Sequence, residues 1–413
     1  IISMNILILT PFFSAEGYED VWNINYDPQG GMQLMISRLA KAMRRNCEDA
    51  TIDVITMGQP SIPHKRVYSE GINIISCRIP IPKIKSSLGG YCGLIKAWAV
   101  SSFFYLNKQK NKYDIVFAHA DGSGTALLLY YLAQRILKIP LFIQIHSSRG
   151  ATQTATSFLE GLTDKLATKM ELKTVDSAAK IYTLSDQTTE YFRHNCSKEL
   201  PIRKIVYLPD LERFLNFDNS KKNPVFPIDK DKTNILYLGR VSAEKGCDVF
   251  LDIAKRLNPQ KYHIVFCGDG PELKKIKKQA EKDKTIDMFS FLGFVDHDLV
   301  PEIIEKCDIG IVPSKYEELG IVILELMASK KTVIAHDLST VRQIIENNKD
   351  GILVKKGDIN GMCSAIERVS SDKDLQSVLV ENAYNKAKTL ISIDDVAVII
   401  LEDMLNRLKG INN

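Results

Sequence analysis

Residues 313–335, PSKYEELGIVILELMASKKTVIA, leave a short apolar strand (Ile309 to Pro313), cross a polar turn and enter a helix expected to begin at Gly320. Between Gly320 and Ser329 every position is apolar or small except Glu325. A helix that is apolar all round is buried, and a carboxylate inside it is costly unless something pairs or hydrogen-bonds with it. A continuous apolar strand followed by such a helix is the repeating unit of a parallel α/β sheet.

Glu317 lies on the loop that feeds the helix, and the backbone N–H groups of Leu319, Gly320 and Ile321 stand at its positive end, where anions bind. At about 1.5 Å rise per residue, Glu325 sits roughly 8 Å farther along the axis, the step from a diphosphate to ribose hydroxyls. One element can then hold a nucleotide sugar, with N–H groups on phosphate, Glu325 on ribose and Glu317 near the sugar. The residues alone leave a second assignment open, in which Glu317 and Glu318 are solvated loop charges and Glu325 pairs with an unseen Lys or Arg.

The same alternation extends in both directions. Upstream, strand-like runs recur at Asn5–Thr10, Thr51–Met57, Ile72–Cys77, Ile115–Ala118, Leu141–His146, Lys180–Thr183 and Arg203–Tyr207, with helical segments between most of them. Leu208 to Asp229, with Pro209, Pro224 and Pro227 among polar residues, reads as a linker. Strands then return at Ile235–Leu238, His263–Cys267, Phe289–Leu292, Ile309–Pro313, Thr332–Ala335 and Gly351–Val354. The expected fold class is α/β, with two Rossmann-like doubly wound domains, residues 4–210 and 211–391. Ligands of such sheets bind at the carboxyl ends of the strands, so two facing sheets would share an interdomain cleft.

Size and composition fit this division. A chain of 413 residues is too long for one core, and 45% hydrophobic with 25% charged residues is ordinary for a water-soluble protein. A net charge of +4 is small for the length and gives no nucleic-acid signature. The eight cysteines are scattered through apolar runs without metal-ligand spacing and read as free thiols of a reducing, cytoplasmic compartment. No charged segment precedes an apolar one near Met4, so no signal peptide is expected. The apolar run Gly93 to Leu106, interrupted by Lys96, is too short to span a bilayer.

Several residues fall at strand ends. Gly239-Arg240 and Lys245-Gly246 place two cations where a diphosphate would sit, and most such cations taken singly are solvated. Gly268-Asp269-Gly270-Pro271 reads as a strand-to-helix turn without chemistry of its own. His146 can touch a sugar or shuttle a proton; His119 and Asp121 form a second candidate pair. Gly30 and Gly31 allow backbone to approach a substrate closely. The loop Ser14 to Asp27 carries Glu16, Glu19 and Asp20 among Tyr18, Trp22 and Tyr26, a setting for a hydroxylated cationic acceptor or simply an acidic solvated loop. Arg78, Lys83 and Lys85 oppose it with positive charge suited to a phosphate or an anionic lipid head group.

E-x7-E with an internal glycine, after a strand ending in Pro-Ser, resembles the signature of retaining GT-B glycosyltransferases that use nucleotide-sugar donors. GRVSAEKG (239–246) resembles that family's phosphate clamp, and GGMQLMISRLAKAM (30–43) its first glycine-rich loop and helix. GGMQ, IHSSR and EELG together are similar to the 2-deoxystreptamine glycosyltransferases of aminoglycoside biosynthesis. The resemblance implies catalytic roles for Arg240, Lys245, Glu317 and His146. It implies donor contacts from Gly31, Gly239, Phe294, Val295, Leu319, Gly320, Ile321 and Glu325, with Gly293-Phe294-Val295 near the nucleobase. Acceptor contacts are expected from Glu16, Tyr18, Asp20 and Asp121.

It further implies a UDP-sugar co-substrate, retention at the anomeric carbon, no metal, and a C-terminal helix (392–413) returning to the first domain. The expected partners are a small-molecule donor and acceptor, without nucleic acid or a transmembrane segment; peripheral membrane contact stays open. Transfer to a cell-surface polysaccharide or glycolipid, or non-catalytic binding of a sugar or sugar nucleotide, are the rival functions. Two departures stand out: Lys330 and Thr332 replace the family's usual Gly and Pro after the Glu325 helix, and its P-N-G-V-D linker is shortened to PDLERF.

Overall fold

The computed structural model describes residues 3–13, 31–57, 64–77, 89–152, 158–196, 198–218, 226 and 228–410. The chain divides into two compact units, Ile1–Pro209 with Ser392–Asn413, and Asp210–Ile391.

The first unit carries strands Met4–Leu9 (β1), Ala50–Met57 (β2), Lys65–Ser69 (β3), Ile72–Cys77 (β4), Ile115–Ala120 (β5), Leu141–Ile145 (β6), Lys180–Thr183 (β7) and Ile202–Lys204 (β8). Its helices, up to the crossing into the second unit, are Gly31–Asn46 (α1), Gly89–Leu106 (α2), Gly124–Leu137 (α3), Arg149–Thr152 (α4), Phe158–Ser177 (α5) and Asp186–Asn195 (α6). The strand order is β3-β4-β2-β1-β5-β6-β7-β8. Every neighbouring pair is parallel except β3 with β4. That antiparallel edge corrects the sequence reading, which saw no strand there. KRVYS keeps its residues half-buried or exposed, so it lacks the apolar run that marks a central strand. Strand order reverses between β1 and β5, which makes their carboxyl ends the expected ligand crevice of this unit.

The second unit begins with a short helix, Leu211–Leu215 (α7). It lies inside the stretch read as linker. Leu211 and Phe214 are both buried, and the prolines on either side of this stretch hid their helical spacing. Then follow Thr233–Leu238 (β9), Val249–Arg256 (α8), Tyr262–Cys267 (β10), Leu273–Lys282 (α9), Phe289–Gly293 (β11), Val300–Glu305 (α10) and Ile309–Val312 (β12). The unit closes with Ile321–Ala328 (α11), Thr332–His336 (β13), Ile352–Val354 (β14), Ile359–Ser371 (α12) and Lys373–Ala387 (α13). The all-parallel order β11-β10-β9-β12-β13-β14 reverses between β9 and β12. Tyr237 and Phe266 stack at 4.4 Å in the core beneath, with Phe250 edge-on to both.

Lys330 shows what its departure from glycine entails. It adopts a left-handed φ of 55° just after α11, the conformation for which helix ends favour glycine. Its ammonium lies 4.3 Å from the Tyr384 ring centre, an attraction that offsets part of the backbone cost.

The chain finally returns to the first unit. Ile393–Leu408 (α14) opens with a capping box between Ser392 and Asp395 and packs on α1. Asp394 takes the Arg45 guanidinium at 2.9 Å, and Asp403 accepts from the Tyr182 hydroxyl at 2.9 Å.

Candidate active site

In the second unit the β9/β12 crevice is stitched together by backbone before any side chain is considered. Gly246 has φ 64°, and a Cβ there would overlap the carbonyl oxygen of Pro313. Only glycine lets the loop after β9 press against the end of β12. The Lys315 N–H then donates to the Glu244 carbonyl at 2.8 Å.

This contact brings two residues 72 positions apart into an ion pair. Lys245 Nζ lies 2.7 Å from Glu317 Oε1, and the Ser314 hydroxyl donates to the same oxygen at 2.6 Å. Thr340 holds the Glu317 backbone carbonyl at 2.6 Å. Glu317 is 9% exposed, so its charge depends on these partners. Lys245→Ala should therefore cost stability as well as activity. We expect a loss of about 1–3 kcal/mol, below the buried-pair range because Lys245 is partly solvated. A melting temperature equal to wild type would show that the pair carries no structural load.

Arg240 differs. It is exposed and makes no ion pair among the described residues, while its carbonyl is fixed by the Tyr237 hydroxyl at 2.6 Å. Beside it Gly239, at φ 141°, faces open space. Gly293, at the end of β11, also faces open space, and Phe294 next to it is 52% exposed while Val295 is half-buried.

Gly320 caps α11 in a left-handed conformation, so the helix starts one residue later than expected. The Ile323 and Leu324 N–H groups turn back to its carbonyl, whereas those of Leu319, Gly320 and Ile321 have no backbone acceptor among the described residues. Glu325 is 3% exposed and lies on this helix. Its partner is neither Lys nor Arg: His297 Nε2 meets Glu325 Oε1 at 3.0 Å. His297 was missed in the sequence because the strand-end motif was read only as far as Val295. Asp296, whose carboxylate accepts from the Asp298 N–H at 2.8 Å, fixes the turn that presents it.

In the first unit His119 and His146 share a hydrogen bond, Nδ1 to Nε2, at 3.0 Å. Both are buried. Burial pushes the His146 ring down to about 3, and burial together with the neighbouring ring lowers His119 well below the ordinary value. Burial therefore favours the neutral form of the His146 ring. Its hydrogen-bonding capacity remains. Asp121 accepts from the Ser123 N–H at 3.0 Å, and burial raises its carboxyl despite that bond and the Arg149 charge.

Glu171, also missed, is fully buried and accepts from the Arg149 and Gly150 N–H groups and the Ser148 hydroxyl, capping α4. Gly31 is the first residue of α1. Glu16, Tyr18 and Asp20, and the basic residues Arg78, Lys83 and Lys85, lie outside the described residues.

Among the described residues no helix is long and apolar enough to cross a membrane. Residues 218–386 match the family described as glycosyl transferases group 1, and residues 30–210 the glycosyl transferase 4-like domain. The chain is 34% identical to alpha-D-kanosaminyltransferase of Streptomyces kanamyceticus, over 80% of this chain and 88% of the relative. It is 29% identical to 2-deoxystreptamine N-acetyl-D-glucosaminyltransferase of Streptomyces fradiae, over 89% and 88%. Its fold matches that of Anabaena HepE in complex with UDP-glucose, with a TM-score of 0.69 and 19% identity over 98% of this chain and 100% of that one.

Proposed function

The chain belongs to the group 1 glycosyltransferases, and from that premise we propose that it moves a glucose- or N-acetylglucosamine-type hexose from a UDP-sugar to an aminocyclitol of the 2-deoxystreptamine type, with retention and without a metal. The observation that carries this reading is the meeting of the Lys245–Glu317 pair with the N–H groups ahead of α11 at the β9/β12 switch point. Lys245 has three N–H donors and spends one on Glu317, leaving two for phosphate. Arg240 adds a forked donor from the end of β9.

As the bond from the anomeric carbon to the phosphate oxygen breaks, its electron pair stays on the diphosphate, and these donors stabilise the growing charge. The acceptor hydroxyl forms the new bond on the same face and gives its proton to the departing phosphate oxygen. That route needs no protein base. Glu325 faces the ribose with Oε2, which takes no hydrogen bond among the described residues. The 2-deoxystreptamine relative supports an aminocyclitol acceptor, HepE a UDP donor. The half-buried carboxyl of Asp121 is a candidate partner for an acceptor ammonium or hydroxyl.

A second reading, transfer to a lipid-linked glycan, is favoured by one surface feature. Lys96, Val100 and Phe104 form an exposed stripe on α2, and Phe104 is 64% exposed. UDP-glucose and UDP-N-acetylglucosamine, each with 2-deoxystreptamine or a polyprenyl-phosphate sugar as acceptor, separate the two by release of UDP. No release with any aminocyclitol would sink the first.

A further inference from the structure

The loop after β11 is gripped on two sides by parts of the second unit. On one side His297 Nε2 holds Glu325 of α11 at 3.0 Å. On the other, His297 Nδ1 lies 3.6 Å from Asp210 Oδ2, at the residue that caps α7. Arg213 of α7 pairs with Asp298 at 2.5 Å and also reaches its carbonyl, so the loop cannot swing without breaking a second contact. The Phe214 ring packs edge-on to the imidazole at 5.9 Å. The ring thus stands between two carboxylates, one per nitrogen.

We propose that His297 is a positioning residue for donor recognition, whose doubly protonated ring fixes Oε1 of Glu325 so that Oε2 is presented to the ribose hydroxyls of a nucleoside diphosphate. The inference rests on the ribose role given to Glu325 above. An imidazolium carries an N–H on both nitrogens and so always offers one to Glu325, whereas a neutral ring has a single N–H that sits on either nitrogen. Asp210 Oδ2, 3.6 Å from Nδ1, is beyond hydrogen-bond distance and acts on the ring through its charge, so once the proton is lost that attraction goes and the bond to Glu325 weakens from a charge-assisted to a neutral one. The groups facing the ring are Glu325 of α11, Asp210 ahead of α7 and Arg213 of α7, with Asp298 beside it in its own turn. Burial and Arg213 oppose the charged ring; the hydrogen bond and charge of Glu325, with Asp210, outweigh them and hold its pKa above the ordinary value. Recognition should therefore weaken as pH rises through the pKa of this ring.

The test is calorimetric binding of UDP and 2′-deoxy-UDP to the whole chain between pH 6 and pH 9. Wild type should prefer UDP by about tenfold, the scale of one hydrogen bond to a charged group, and lose that preference as pH rises. His297→Gln should lower the preference toward unity at every pH and flatten the profile, while Glu325→Gln lowers it equally and the double variant no further. A His297→Gln protein that keeps both the preference and its pH dependence overturns the role of His297. If Glu325→Gln also keeps the preference, the ribose assignment itself fails, as it does if UDP does not bind wild type. Should His297→Gln not fold, the wild-type profile decides alone, a preference unchanged from pH 6 to 9 refuting the inference.

Discussion

Arg240→Ala should lower turnover by about 10²–10³-fold, the scale seen when one donor to a developing anion is removed. The reason is specific to its place. Arg240 leaves the end of β9, its guanidinium is solvated, and among the described residues it has no carboxylate to neutralise it. A cation kept unpaired beside an open glycine serves no folding purpose visible in its surroundings. Because the diphosphate gains charge as the sugar departs, the effect should fall on kcat more than on KM. The melting temperature should stay within a few degrees, unlike that of Lys245→Ala, whose partner Glu317 is buried. Arg240→Lys should recover part of the rate, since the charge returns without the planar fork. Near-normal turnover in Arg240→Ala would show that the leaving group is stabilised elsewhere.

The contrast between these two cations was only half legible in the sequence. GRVSAEKG announces a phosphate clamp through its glycines and charges, but nothing in it says that Lys245 finds Glu317, because that pairing depends on Gly246 letting two distant strand ends touch. The two sheets were readable for a simpler reason. Strands covered on both faces need unbroken apolar runs such as NILIL and IVF, and those survive any detail of packing. The edge strand KRVYS and the helix LERFL were hidden where solvent or flanking prolines blurred the pattern. Glu325 was legible as a lone acid in a greasy helix, so a partner could be demanded from its sequence. Which residue supplies it could not, since His297 arrives from a turn 28 residues upstream.

The buried histidine pair carries the second large effect, on stability rather than rate. His119 lies in β5 and His146 just after β6, joined by one hydrogen bond, with His119 Nε2 and His146 Nδ1 buried and unmatched among the described residues. Burial opposes a charge on either ring, and charging both would set two N–H donors face to face, whereas in the unfolded chain both protonate near pH 6.5. Folded values below the unfolded one mean that the unfolded state binds more protons, so the stability is present above pH 6.5 and is lost as pH falls toward about 3. At pH 5 the loss should be roughly 2 kcal/mol from His146, a sizeable part of a typical domain's margin, with His119 adding to it in the same direction. His297 acts in the opposite sense, since its raised value favours the folded state in acid. The double variant His119→Asn/His146→Gln isolates the pair: its melting temperature should fall much less between pH 8 and pH 5 than that of wild type. Equal slopes would mean that water or motion lets the rings take up protons without unfolding.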